Sequence, residues 1–498
     1  MEQIFNPFLP ISEYIPDGEP HVFGDRVYLY GSHDKEAGET YCMLDYTVYS
    51  APVDDLKNWR CEGVIYKACQ DPDYHNRKYM YAPDVVRGND GRYYLYYCMS
   101  GEFGKGGYHG PISVAVCDTP AGKYEYLGIV HNQDGTPMQK YVCFDPGVIN
   151  DDGVIRLYYG TQYPYEEEPD FVHDEEKIQC EMEMFGKSRE EILGTSDSVM
   201  GPSMLVLEDD MLTVKEEAKH IIPYRVKGTD FEEHPFYEAA SIRKIGSKYY
   251  FIYSSLQNHE LCYATSDYPD RNFAFGGVIV SNGDIGYRGR KEEDKLNMTG
   301  TTHGSIEKIG SDWYVFYHRL THKSDYSRQA CAEKIHINDD GSIEQVCITS
   351  CGLNGGPLKA SGEYPAIIAC ILTNGRMPHG SNSIYKESFP NVNNDENDRF
   401  ISEICDNTLI GYRYFEFDKT EKISLVARAY DNDSPKGRID VSVTDSADRT
   451  TVLGSIDICA GREWKSFNCE FGEVSGVYTL HFNYHGIGRI DIKNIVFL

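Results

Sequence analysis

Five stretches of the chain repeat one pattern of apolar and polar positions. Each opens on a polar residue, passes through a short alternating apolar run, turns at Gly or Asp, and enters a strand rich in Tyr. They are DGEPHVFGDRVYLYGSHD from Asp17, DVVRGNDGRYYLYYCMS from Asp84, DPGVINDDGVIRLYYGTQ from Asp145, EAASIRKIGSKYYFIYSS from Glu238 and HGSIEKIGSDWYVFYHR from His303. Alternation at period two marks a half-buried β-strand, and two such runs joined by a tight turn read as a hairpin. The leading residues lie 67, 61, 93 and 65 positions apart. Further strand-like runs follow the second, fourth and fifth stretches: ISVAVCD, LCYATSD and QACAEKIHI. Two hairpins in about 60 to 67 residues is the content of one four-stranded propeller blade. The pattern therefore predicts a five-bladed β-propeller over residues 1–350, with the repeats themselves running from about residue 5. Radial repetition carries the leading residues Asp17, Asp84, Asp145, Glu238 and His303 to one mouth of the ring.

The long interval holds an insertion at 165–193, with eleven acidic and three basic residues between Glu166 and Ile192. Such a charge run reads as a solvated loop or short helix, or as a rim element beside a pocket. A second module follows PHGSNSIYKESFPNVNNDEND at 378–398, a stretch rich in Asn, Ser, Gly and Pro. Beyond it KISLVARAY, GRIDVSVTD, VYTLHFNY and RIDIKNIVFL read as short strands, so residues 385–498 are expected to form a jelly-roll-like β-sandwich. The segment 351–384 is a connection whose apolar run at 365–372 could join that sandwich. The fold class is all-β.

Composition narrows the function. Among 498 residues, 48 basic against 78 acidic side chains leave a net charge of −30, which argues against nucleic acid or an anionic membrane as partner and suits a neutral ligand. No apolar run is long enough to span a bilayer. Tyr accounts for 40 residues, and its ring and hydroxyl serve both strands and sugar sites. The 15 Cys include no C-x-x-C pair and read as reduced, mostly buried thiols. With no signal peptide at the N-terminus, the expectation is a cytoplasmic protein. The pattern leaves the oligomeric state open.

Carboxylates converging from different blades suit one chemistry in particular. Inverting hydrolysis of a glycosidic bond needs an ionised carboxylate to activate water and a protonated one, on the opposite face of the sugar, to protonate the leaving oxygen. Their acidities must be pushed apart, and a third carboxylate can do so by repulsion. A lone carboxylate at a strand start also serves as a turn or cap residue, so the joint position matters more than any single motif.

Taken in order, D-G-E-P-H-V-F at Asp17, Y-A-P-D at Asp84, F-D-P-G at Asp145, Y-E-A-A at Glu238 and T-T-H-G-S-I at His303 resemble glycoside hydrolase family 43. The resemblance implies an inverting exo-glycosidase of α-L-arabinofuranosidase or β-xylosidase type acting on plant oligosaccharides. By the same resemblance Asp17 is the general base, Asp145 the modulator of the acid, and Glu238 the general acid. His303 stands near the axis, where many members hold a calcium ion through water; no cofactor is required for the chemistry. Asp84 and Arg319 are the implied substrate-binding positions, Asp84 being also a structural candidate. Glu19 is an alternative base, because the usual Asp-Pro is here Asp17-Gly18, although the Asp17 to His21 spacing is kept. The C-terminal module is similar to a family 6 carbohydrate-binding sandwich, with Trp464 the foremost of three Trp as a sugar platform. The competing reading is a non-catalytic sugar-binding propeller.

Overall fold

The computed structural model describes residues 3–101, 110–162, 178–179, 182–183, 186–192, 199–223, 226–380, 383–396, 398–431 and 434–498. Most of the acidic insertion at 165–193 lies outside the described residues. Four sheets of four antiparallel strands and one of three follow each other along the chain. The first blade holds β1 (Glu19–Phe23), β2 (Arg26–Tyr30), β3 (Tyr46–Pro52) and β4 (Arg60–Tyr66). The second holds β5 (Tyr79–Arg87), β6 (Tyr93–Ser100), β7 (Ser113–Cys117) and β8 (Glu125–Ile129). The third holds β9 (Gly147–Asp151), β10 (Val154–Tyr159), β11 (Ser203–Leu207) and β12 (Val214–His220). The fourth holds β13 (Phe236–Ile245), β14 (Lys248–Ser255), β15 (Glu260–Ser266) and β16 (Ala274–Ser281), and the fifth β17 (Ser305–Ile309), β18 (Asp312–Leu320) and β19 (Arg328–Ile335).

Tyr-rich hairpins become blades because each sheet has two apolar faces to bury. A separate buried cluster fills each of the five interfaces between neighbouring blades. The first strands form the inner ring, β1 beside β5, β5 beside β9, β9 beside β13, β13 beside β17 and β17 beside β1. Here backbones approach closely. A Cβ on Gly147, the glycine of F-D-P-G, would stand 2.3 Å from the Ala240 carbonyl oxygen of the next blade. Tyr supplies a second device. From the second strand of four blades, Tyr30, Tyr96, Tyr158 and Tyr250 donate to the carbonyls of Pro120, Met211, Pro269 and Gly341 in the following blade at 2.7–2.8 Å.

The ring closes through the N-terminal segment. Phe8 N–H donates to Ala330 O, and the fully buried Asn6 side chain imitates a strand edge against β19. Its Nδ2 donates to Ala332 O at 3.0 Å and Thr349 O at 3.1 Å, its Oδ1 accepts from Ala332 N–H at 3.1 Å, and Glu333 Oε1 lies 2.9 Å away.

The remaining strands are β20 (Leu358–Lys359), β21 (Gly362–Pro365), β22 (Ile371–Thr373), β23 (Asn391–Asp395), β24 (Asp398–Ile404), β25 (Thr408–Ala429), β26 (Lys436–Thr444), β27 (Thr450–Cys459), β28 (Lys465–Ile487) and β29 (Ile490–Phe497). They enclose a single core. The long strands β25 and β28 pair along most of their length through several bulges, connecting all ten strands in one folded sheet. Segment 351–384 contributes β20, β21 and β22 to it, on β25 and β29. The C-terminal unit also grips the propeller loops. Val392 N–H donates to Thr321 O, Lys323 pairs with Glu403 at 3.0 Å, and Arg399 pairs with Glu36 at 2.7 Å.

Replacing Asn6 with Ala leaves the Ala332 N–H and the Glu333 carboxyl without this partner in a buried interface. The expected cost is about 2–3 kcal/mol, read as a lower urea midpoint. An unchanged midpoint would remove Asn6 from the closure.

Candidate active site

At the mouth of the inner ring, strand position decides which leading residues meet. Asp17, Asp145 and His303 each lie two residues before their inner strand, and Glu238 is the third residue of β13, ahead of a bulge. Asp17 and Asp145 adopt positive φ, 57° and 46°, a conformation that Asp tolerates better than most residues and that sets each side chain before its strand begins. His303 Nδ1 lies 3.8 Å from Asp17 Oδ1 and 3.6 Å from Asp145 Oδ2, joining blades 1, 3 and 5.

Asp17 is buried beside a permanent charge. Arg328, the first residue of β19, donates Nη1 to Asp17 Oδ1 at 2.8 Å. It also grips Asp34 with two parallel bonds, Nε to Oδ2 at 2.8 Å and Nη2 to Oδ1 at 3.0 Å, over the ring of Tyr41. Burial alone would raise the Asp17 carboxyl; Arg328 foremost, then His303, His318 and a Ser32 hydrogen bond, hold the group below its ordinary range. Both imidazoles are themselves hard to protonate. Burial pushes His303 down to about 4 and His318 to about 3. The bonds of His318 agree: Nδ1 accepts from Asp17 N–H at 3.2 Å and Nε2 donates to Thr301 O at 2.8 Å, the pattern of a neutral ring.

Glu238 lives in the opposite environment. It is half-buried and makes no hydrogen bond to another described residue. Burial and the Asp17 charge push it up to about 8. Burial, Glu238 and Asp17 also raise Asp145, while the Ala239 N–H, 3.1 Å from its Oδ2, favours its anion. Asp145 and Glu238 are thus both raised, and as a repelling pair they hold protons more tightly than free carboxyls do. The mouth thus carries one carboxyl held below its ordinary range, Asp17, and two pushed above it, Asp145 and Glu238, on different blades.

Two residues expected to touch substrate are elsewhere. Asp84 is the sixth residue of β5, so it sits deeper than the mouth and is wholly buried. Its Oδ1 meets His21 Nε2 at 2.6 Å and Val85 N–H at 2.7 Å, and its Oδ2 accepts from Val148 N–H at 2.7 Å, a role that ties blades 1, 2 and 3 together. Arg319 follows His318 on β18, and alternation along a strand turns it away from the axis. Its Nη1 donates to Ala369 O at 3.2 Å, beneath the C-terminal unit. Glu19, the alternative base, lies one layer below Asp17, where its Oε2 accepts from Arg243 Nη2 at 3.0 Å and Ser241 Oγ at 3.1 Å.

Arg328 and Asp34 escaped the sequence reading, although Asp34 closes the first repeat. Neither occupies a leading position, and only the exceptional opening of the apolar strand β19 with Arg hints at a buried charge.

A directly ligated calcium ion does not fit this donor set. Calcium takes six to eight oxygens, but Asp17 is bound to Arg328, Asp145 to a backbone N–H, and Glu19 to Arg243, whose Nε also faces Glu307 at 3.3 Å. No group of three metal-ligating side chains among the described residues includes His303.

Residues 5–189 match the glycosyl hydrolases family 43. A xylosidase/arabinosidase of Thermoclostridium stercorarium is 41% identical across 99% of this chain and 98% of its own length. The chain belongs to glycosyl hydrolase family 43. The xylosidase/arabinosidase 43A of Humicola insolens is 30% identical over 66% of this chain and 96% of its own. Among solved structures, the family 43 β-xylosidase/α-arabinofuranosidase CoXyl43 from a compost metagenome, in a calcium-free form with xylotriose, matches with a TM-score of 0.52. It is 26% identical and covers 70% of this chain and 98% of that one. This family 43 protein is therefore a glycoside hydrolase, and the chemistry of the family needs no cofactor.

Removing the guanidinium tests the electrostatics. Arg328→Met leaves Asp17 and Asp34 buried without a cation, so stability at pH 7 should fall by about 3–5 kcal/mol. The loss should shrink towards pH 4, where the stranded carboxyls can take up protons. Equal losses at both pH values by urea unfolding would contradict this account.

Proposed function

We propose that the protein is an inverting exo-glycosidase that releases terminal xylose or arabinofuranose from neutral plant-derived oligosaccharides. The observation that carries this reading is the split environment of the mouth. Asp17 is held below its ordinary range with Arg328 bonded to it, while Glu238, half-buried and without a hydrogen bond to another described residue, is pushed up to about 8. Asp17 accepts a proton from water as that water attacks the anomeric carbon. Glu238 gives its proton to the departing glycosidic oxygen from the other face of the sugar. The bond from water to the anomeric carbon forms as the glycosidic bond breaks, which inverts the configuration. Asp145, itself raised by burial and by the Glu238 and Asp17 charges, titrates together with the acid and would modulate it. His303 and His318, pushed down by burial, are neutral.

The choice of pentose follows the names of the relatives aligned over nearly the whole chain or most of the propeller, each a xylosidase/arabinosidase. The 14 described cysteines are all free thiols, which supports residence in a reducing compartment such as the cytoplasm.

Glu238→Gln should lower kcat on natural xylo- and arabino-oligosaccharides about 10²- to 10⁴-fold, with a smaller loss on 4-nitrophenyl pentosides, whose leaving group needs little protonation. In the parent enzyme kcat/KM should fall above about pH 8, because the acid is active only while protonated and loses its proton through that value. Turnover by Glu238→Gln equal to the parent on natural substrates would refute the assignment. Dialysis against EDTA should leave activity within twofold; a loss restored only by calcium would show that a metal stands where Arg243 and Arg328 are assigned.

A further inference from the structure

A second cavity, of about 1090 Å³, opens between the propeller and the C-terminal unit, away from the axial mouth. One wall is the 287–296 stretch joining blade 4 to blade 5, and the other is a face of the C-terminal sheet around β26 and β28. Its charged side chains number four of each sign, and Arg288 pairs with Asp448 at 3.0 Å from one wall to the other. A charge-balanced cleft of this kind offers nothing to select a phosphate, a nucleic acid or a cation.

What it does offer is a polar sheet face with aromatic edges. Thr450, Thr444 and Thr479 stand opposite one another on β27, β26 and β28, a rung of hydroxyls across three strands. Thr444 Oγ1 and Thr450 Oγ1 are 2.9 Å apart. Val477 and His481 flank Thr479 at intervals of two along β28, so all three share the face that lines the cleft. Burial, with Arg413 nearby, pushes His481 down to about 4, so the ring is neutral. Its Nδ1 is shut in close to Gly411 without a partner, which leaves Nε2 as the nitrogen able to serve the cleft. Tyr287, with the Arg288 guanidinium 5.5 Å from the centre of its ring, and Tyr414, whose hydroxyl lies 3.7 Å from Cys347 Sγ, add ring surface from the two walls.

We infer that this interdomain cleft is a second binding site for a neutral polyhydroxylated chain, distinct from the catalytic mouth, holding part of the glycan on which the enzyme acts. Hydroxyl donors and acceptors, a neutral imidazole and tyrosine rings match sugar hydroxyls and C–H faces, and the balanced charges disfavour uronic acid chains. The class of ligand rests on the cleft itself; its being a pentose chain rests on the function proposed above.

The test uses full-length Glu238→Gln protein titrated calorimetrically with xylohexaose, soluble arabinoxylan, a neutral glucan oligosaccharide and polygalacturonate. Xylohexaose or arabinoxylan should occupy two sites per chain. Adding Tyr287→Ala or Thr479→Arg should weaken arabinoxylan binding at least fivefold. In otherwise unmodified enzyme the same two substitutions should leave kcat/KM on 4-nitrophenyl xyloside and arabinofuranoside within twofold. A single site per chain, binding indifferent to both substitutions, or preference for polygalacturonate would overturn the inference. Tyr287→Ala, in a propeller loop, decides if Thr479→Arg melts early. If the glucan fills the second site in place of the pentose chain, the cleft stands and the pentose assignment falls. Failure of the parent to hydrolyse any pentoside counts against the axial reading alone, because cleft occupancy is read without turnover.

Discussion

One buried guanidinium holds the mouth together. Arg328 binds Asp34 through two bonds and Asp17 through a third, and it stands on the last strand of the last blade. The same contact completes the ring and sets the acidity of the group assigned as base. A buried ion cluster is poor evidence for extra stability, since desolvation offsets most of the attraction. Its value here is direction. It holds Asp17 below its ordinary range, and burial together with the Asp17 charge in turn raises Glu238.

The C-terminal unit enters this arrangement through the loops it grips. Thr321, Lys323 and Asp325 lie in the turn that delivers Arg328, and each bonds a residue beyond position 380. Glu36, two residues after Asp34, is clasped by Arg399. Both arms of the Asp34–Arg328 pair are therefore braced from outside the propeller. The two aromatic rings most suited to stacking on the far face of that unit are already covered, Trp464 by Arg428 at 4.3 Å and Tyr430 by Arg489 at 4.2 Å. Trp464 also packs edge-on against Phe400, 5.3 Å between ring centres.

Much of this was legible in the order of residues, and the exceptions have physical causes. Asp17, Asp145, Glu238 and His303 could be read because a closed ring brings equivalent positions together, whatever their separation along the chain. Asp84 shared the sequence phase but not the depth, since β5 begins five residues ahead of it while β1, β9 and β17 begin two residues after their leading residues. Arg319 was one position out of phase; period two in a strand makes that the difference between the axis and the opposite face. Arg328 and Asp34 form a pair 294 residues apart in sequence, with no repeat to relate them. The apolar run at 365–372 hinted at the strands β21 and β22, whereas β20 gave no sign, since its two residues pair with β25 far along the chain.

The tyrosine staples between blades bear on how such a protein can change. Tyr30, Tyr96, Tyr158 and Tyr250 fasten four of the five blades to the next through main-chain carbonyls, which every residue possesses. The fastening is thus indifferent to the side chain at its receiving end, and the loops that carry it can drift in sequence without loosening the ring. Adhesion and chemistry are written in different places on the same blade. Selection acting on the mouth for a new sugar would meet a scaffold that does not need to be renegotiated, provided that Asp34 and Arg328 drift together or not at all.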